Sequence, residues 1–109
     1  MTGEFAGTLR ERILIERPVT TRTAMGVQSA GWETVCRCRA SVVAEGAGAE
    51  REGMALSAMQ RFKVTIRRRD GIAIDQRVSW AGHVMMVRQL VEDPRAQDRL
   101  VLRCEEVRQ

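Results

Sequence analysis

Tyrosine is absent, lysine and histidine occur once each as Lys63 and His83, and the other aromatics are two Phe and two Trp. So sparse a set excludes the stacked-ring platform on which single-stranded nucleic acids are held. No apolar run approaches the ~18 residues a membrane helix requires, so neither a span nor a membrane partner is expected. The opening MTGEFAGTLRER has no basic stretch leading into an apolar core, so no signal peptide is expected and synthesis is placed in the cytosol. Three cysteines in that setting do not make a disulfide framework. Cys36, Cys38, Cys104 and His83 could in principle supply four ligands, but the knuckle spacing of zinc sites is missing. Three core thiols and no metal or other cofactor are expected. A lone histidine beside Gly82 is expected at the surface. No Ser, Cys or paired carboxylate shows a catalytic spacing, and Gly46-Ala47-Gly48 is not a phosphate loop. The chain is therefore not read as an enzyme.

What is present is a soluble-domain composition, 44% hydrophobic and 29% charged over 109 residues. That length is enough for one domain with a single core, residues 1–109. The net charge is +4, and seventeen of the eighteen cations are arginine, which forks onto carboxylate and phosphate as lysine cannot. Fourteen acids are interspersed among them, which argues against a dedicated sequence-reading DNA surface.

Residues 1–8 read as a loose arm. Leu9–Arg17 reads as a first strand, with Leu9, Glu11, Ile13 and Ile15 on one face, ended by Pro18. Residues 18–31 read as a polar connection with turn glycines. Trp32–Ala44 is the longest strand candidate, with Trp32, Thr34, Cys36, Cys38, Ala40 and Val42 on one face. Arg61–Arg69 alternates cleanly, with Phe62, Val64 and Ile66 inward. Asp70-Gly71 signals a turn, Arg77–Trp80 and His83–Val91 flank a tight turn at Ala81-Gly82, and Asp98–Glu105 closes the chain with Leu100, Leu102 and Cys104 inward. Six short strands without a persuasive helix predict an all-β fold: a small six-stranded antiparallel barrel or sandwich. Closure into a barrel would remove exposed edges.

Two features invite a functional reading. The first is the break from Glu45 to Gln60, far longer than the roughly 2–5 residues of a hairpin loop. It carries Glu45, Gly46, Gly48, Glu50, Arg51, Glu52, Gly53, Met54, Leu56 and Met59. Its glycines predict a long flexible insertion between strands two and three. Its second half, Ala49–Gln60, has a weak helical stripe that Gly53 would weaken by about 1 kcal/mol. The second feature is a basic ridge, Arg61, Lys63, Arg67 and Arg69, with Arg68 beside it. At about 6–7 Å spacing along a strand, it is read either as a contact face for a polyanion or acidic partner, or as a solvated face that deters edge aggregation.

The order of several short pieces then carries a resemblance. They are IERP at Ile15–Pro18, Gly26 running into Trp32 and WETV, ASV at Ala40–Val42, and a Gly- and Glu-bearing insertion. VTIR at Val64–Arg67, Asp70-Gly71-Ile72, Arg77-Val78, Gly82 and a final L-x-L-x-C-E follow. Across residues 8–106 the chain resembles the phage head–tail joining family, the head-closure or stopper proteins of long-tailed phages and related gene-transfer particles. It departs at Arg39, Arg68 and Met85, where the family favours aromatics.

The resemblance implies a ring homo-oligomer, a hexamer or dodecamer, in the virion's head–tail connector, assembled in the host bacterial cytoplasm. Its partners would be portal and adaptor proteins, tail terminator or tail proteins, and packaged double-stranded DNA. The ring would retain that DNA and dock the tail, with Glu45–Gln60 as its channel-facing gate. Met54, Leu56 and Met59 would pack against symmetry mates. The alternative reading is a small β-barrel nucleic-acid- or protein-binding module, with salt-dependent duplex affinity reduced by neutralising Arg67 and Arg69.

Overall fold

A computed structural model describes Phe5, residues 7–45 and residues 60–107. It is all-β, with β1 Glu11–Thr23, β2 Gly26–Glu45, β3 Arg61–Arg67, β4 Arg77–Trp80, β5 His83–Val91 and β6 Arg99–Glu106. Every neighbouring pair is antiparallel, and the strands close in the order β1-β2-β3-β6-β5-β4. The expected six-stranded antiparallel barrel is what the chain forms.

Period-two patterning builds the interior. Ile13 and Ile15 from β1, Phe62, Val64 and Ile66 from β3, and Leu100, Leu102 and Cys104 from β6 all turn inward and are buried. Val78, Met85 and Val87 complete the barrel from β4 and β5. Full burial of one such aliphatic side chain contributes about 1.5–3 kcal/mol, so this shared face decides the register of every strand. The β4–β5 turn is a two-residue reversal in which Ala81 and Gly82 have φ of 48° and 85°. Both are left-handed, as the tight turn that suits strand twist demands.

The largest departure from expectation concerns β1 and β2. Pro18 does not end β1; the strand runs through it to Thr23, and β2 starts at Gly26 rather than Trp32. The residues expected to form a polar connection are a β-ribbon turning at Ala24 and Met25. Thr23 Oγ1 accepts from Met25 N at 3.1 Å and donates to Gly26 O at 3.0 Å, closing the turn. Pro18 is tolerated because the β4 ladder reaches only Glu16, leaving the far edge of β1 without an in-sheet partner beyond it.

Two shifts in the β1–β2 register, at Ile15/Glu16 and Val19/Thr20, let Val35 and Ala30 bulge. The shift at Ile15/Glu16 reverses the phase of β2 ahead of Cys36, so Trp32 and Thr34 are exposed, while Cys36 and Ala40 are buried and Cys38 and Val42 pack half-buried against the core.

Candidate functional site

The long insertion leaves the barrel from one rim. Its ends are register partners, Glu45 on β2 opposite Arg61 on β3. Gln60 ties them together: its Nε2 donates to Glu45 O at 2.6 Å and to Arg61 O at 3.1 Å, while its own carbonyl accepts from Glu106 N at 2.8 Å. Charged side chains surround this base. Arg103 lies 3.5 Å from Glu45, and Glu105 is shared between Arg88 at 3.4 Å and Arg61 at 3.9 Å. Glu45, Arg61, Arg88, Gln89, Arg103 and Glu105 line a cleft of about 720 Å³ beside it. Each pair is partly exposed and worth at most about 1 kcal/mol, so what the network supplies is a fixed rim rather than stability. Of the insertion residues, Gly46, Gly48, Glu50, Arg51, Glu52, Gly53, Met54, Leu56 and Met59 lie outside the described residues, as does the weak helical stripe.

The basic ridge is on the barrel's outer wall. Arg61, Lys63 and Arg67 alternate outward and are exposed, but β3 ends at Arg67, so Arg69 follows the strand instead of sharing its face. The register sets Lys63 opposite Arg103 and Arg67 opposite Arg99. Lys63, Arg67 and Arg69 join no ion pair among the described residues. Part of this face is already occupied by the N-terminal segment. Phe5 is 5% exposed, with the guanidinium carbon of Arg99 4.0 Å and that of Arg67 5.8 Å from its ring centre. Phe5, Gly7 and Thr8 form a helical turn in which Thr8 Oγ1 donates to Phe5 O at 2.7 Å.

The ribbon formed by Arg17–Thr23 and Gly26–Thr34 projects past the barrel. Met25 at its tip is 89% exposed and Val27 is 63% exposed. Its root is fastened by Arg77, whose Nε and Nη2 donate to Glu16 Oε1 at 3.0 and 2.7 Å. The same guanidinium lies 4.2 Å above the Trp32 ring. Sequence reasoning passed over this ribbon, although Val19, Thr21 and Thr23 already alternate in a β-branched run ahead of a Gly turn.

The groups weighed for chemistry have structural surroundings. His83 lies at the surface with its side chain 42% exposed, held against the barrel: it stacks on Trp80 at 5.3 Å, and its Nδ1 lies 2.7 Å from Glu106 Oε2. Cys36 and Cys38 place their sulfurs 4.0 Å apart at one side of the core, and Cys104 is buried elsewhere in it. No metal-holding group of His, Cys, Asp or Glu occurs among the described residues. Burial pushes the Cys104 thiol up to about 12; burial, then the neighbouring Cys36, pushes Cys38 up to about 11. Both stay protonated, which is the opposite of what a nucleophile or metal ligand needs.

Comparison with known proteins agrees with this architecture. The model of the phage head completion protein family matches residues 6–107. The solution structure of protein SF1141 from Shigella flexneri 2a superposes with a TM-score of 0.70 at 29% identity, covering 92% of this chain and 94% of that one. A chain from the virion of a native gene transfer agent particle superposes with a TM-score of 0.66 at 18% identity, covering 91% and 96%. The second likeness is one of fold. No curated protein matches.

Proposed function

The chain belongs to the phage head completion protein family, and from that premise we propose that it is a head-closure, or stopper, subunit of the head–tail connector. At the coarser level it is a structural protein of the virion, acting where head joins tail. Copies form a closed ring, hexameric or dodecameric, through a heterologous interface. The ring sits between portal and adaptor proteins on one side and tail terminator or tail proteins on the other, holds back packaged double-stranded DNA, and offers the tail its docking surface. It assembles in the host bacterial cytoplasm.

The gate in this reading is the insertion: Glu45, Gly46, Gly48, Glu50, Arg51, Glu52, Gly53, Met54, Leu56 and Met59. The observation that carries the reading is the family match across the whole barrel, joined to a fixed rim. Glu45 and Arg61 are locked opposite each other, so the segment between them issues from one defined end of every subunit. Acids in such a segment repel phosphates without gripping them. The outward Arg61, Lys63 and Arg67, with Arg69 just past the strand end, offer a contact surface for an acidic neighbour or for the DNA backbone, beside the part that Phe5 covers.

The test replaces residues 46–59 by an Asn-Gly turn. Circular dichroism and melting first establish that the barrel still folds. Particles built with this variant are expected to lose their DNA or to fail to join tails. Particles that retain both overturn the gating role.

A further inference from the structure

A second group of cations lies away from Arg61, Lys63 and Arg67 of β3 and from the insertion rim. The β1–β2 register places Arg12 directly opposite Arg39 and Leu14 opposite Arg37, and Leu14 also faces Ser79 on β4. Arg12, Arg37 and Arg39 are exposed, and none of them joins an ion pair among the described residues. The two acids closest in β1 are engaged elsewhere: Glu11 accepts from Trp80 Nε1 at 2.8 Å, and Glu16 holds Arg77. The three arginines and the β4–β5 turn line a cleft of about 510 Å³, with half-buried Leu14 among its lining residues. Like charges directly opposite on paired strands repel. An anion held between them would turn that repulsion into attraction.

We propose that this cleft docks an extended, acidic segment of another protein that also carries an apolar side chain for Leu14. Arg37 and Arg39 are two apart on β2, so they repeat at about 6.6–6.8 Å, the spacing at which alternate residues of an extended segment present their side chains. Two carboxylates separated by one residue therefore meet successive guanidinium forks, the geometry in which arginine pairs best. Arg12 reaches the same carboxylates from the neighbouring strand. The volume is that of a pocket for a small ligand, within the roughly 300–1,000 Å³ such sites occupy. A phosphate backbone supplies charge for the three exposed arginines but brings nothing apolar to Leu14, which favours an acidic peptide over a DNA duplex. The mode is peptide recognition by an arginine cluster. Only the assignment of the partner as another virion protein rests on the function proposed above.

The experiment uses the full chain, labelled with ¹⁵N, and the probe acetyl-Leu-Ser-Glu-Ser-Glu-amide. Amide shifts are expected to be confined to residues 12–14, 37–39 and 79–82. Arg37→Gln and Arg39→Gln are each expected to weaken binding at least about fivefold, the effect of losing one partly exposed charged hydrogen bond. Arg22→Gln, on the ribbon, should leave affinity unchanged, and the probe with both Glu replaced by Gln should not bind. Equal weakening by Arg22→Gln, or shifts spread over every arginine-bearing surface, would overturn the site. Displacement of the probe by a short DNA duplex that shifts the same amides would overturn the choice of a protein partner. Particles carrying Arg37→Gln and Arg39→Gln that assemble normally, while the probe still binds the wild-type chain, would remove the virion protein as partner. None of these readouts depends on the insertion, so failure of the gate leaves the cleft standing.

Discussion

Replacing Arg77 by methionine keeps the stem of the side chain and removes the fork that fastens the ribbon to the barrel. Two interactions go. One is the pair of hydrogen bonds to Glu16 Oε1 at 3.0 and 2.7 Å, between side chains only 28% and 16% exposed. A charged hydrogen bond contributes about 1.5–3 kcal/mol, and partial exposure here favours the lower end. The other is the stack over Trp32 at 4.2 Å. At a site as open as Trp32, 37% exposed, a cation–π contact adds about 0.5–1 kcal/mol. The expected loss is about 2 kcal/mol, which for a domain of this size lowers the melting temperature by roughly 8–16 °C.

Urea unfolding of Arg77→Met, Trp32→Leu and the double variant separates the terms. The Arg77–Trp32 coupling should be about 0.5–1 kcal/mol. Arg77→Lys retains the charge without the fork and should fall between wild type and Arg77→Met. Hydrogen exchange should quicken in the ribbon amides of Arg77→Met before those of β3 and β6. A coupling below about 0.3 kcal/mol, or exchange that quickens uniformly, would refute Arg77 as the fastening.

Alkaline conditions should destabilise the fold through its thiols. Both folded-state values are raised, to about 11 for Cys38 and about 12 for Cys104, against an ordinary thiol value of 9.0. The folded chain thus holds protons that the unfolded chain releases. The stabilisation is complete below pH 9 and is lost as pH climbs toward 11 and 12, by up to about 1.4 kcal/mol per pH unit for the buried Cys104 and by less for the half-buried Cys38. With no tyrosine and one lysine, few other side chains titrate in that window. Urea midpoints at successive pH values check it, and a flat profile would contradict it. Arg39→Thr should raise stability by roughly 0.2–1 kcal/mol by ending the repulsion from Arg12, as a rise in urea midpoint; a fall would show that the two charges are already compensated.

The barrel was legible where alternation is strict. Phe62, Val64 and Ile66, then Leu100, Leu102 and Cys104, turn inward as their spacing predicts, because each strand there has one wet and one dry face. The ribbon is not legible, since a proline removes a ladder donor, and whether that ends the strand depends on which edge the neighbouring strand covers. Phe5 escaped notice because its burial depends on Arg67 and Arg99, distant in sequence. The arginine cluster was hidden for a related reason. Arg12 faces Arg39 only after two register shifts have each displaced the pairing by one residue. Such shifts are set by the pairing along the whole ladder, with Val35 bulged against the core and Ala30 exposed on the ribbon, and leave no local mark.

The barrel's closure has a consequence in time. Thirteen residue pairs join β1 to β2, but only three, Leu14–Ser79, Ile15–Val78 and Glu16–Arg77, join β1 to β4. The first ladder zips outward from a two-residue turn. The second must bring together residues 61 apart, as Glu16 and Arg77 are, and loop closure over such distances is the slow, entropically opposed step of folding. The hairpin is therefore expected to form early and the β1–β4 seam last. As the shortest closing ladder, that seam is also where amide exchange is expected to quicken first when the cylinder opens.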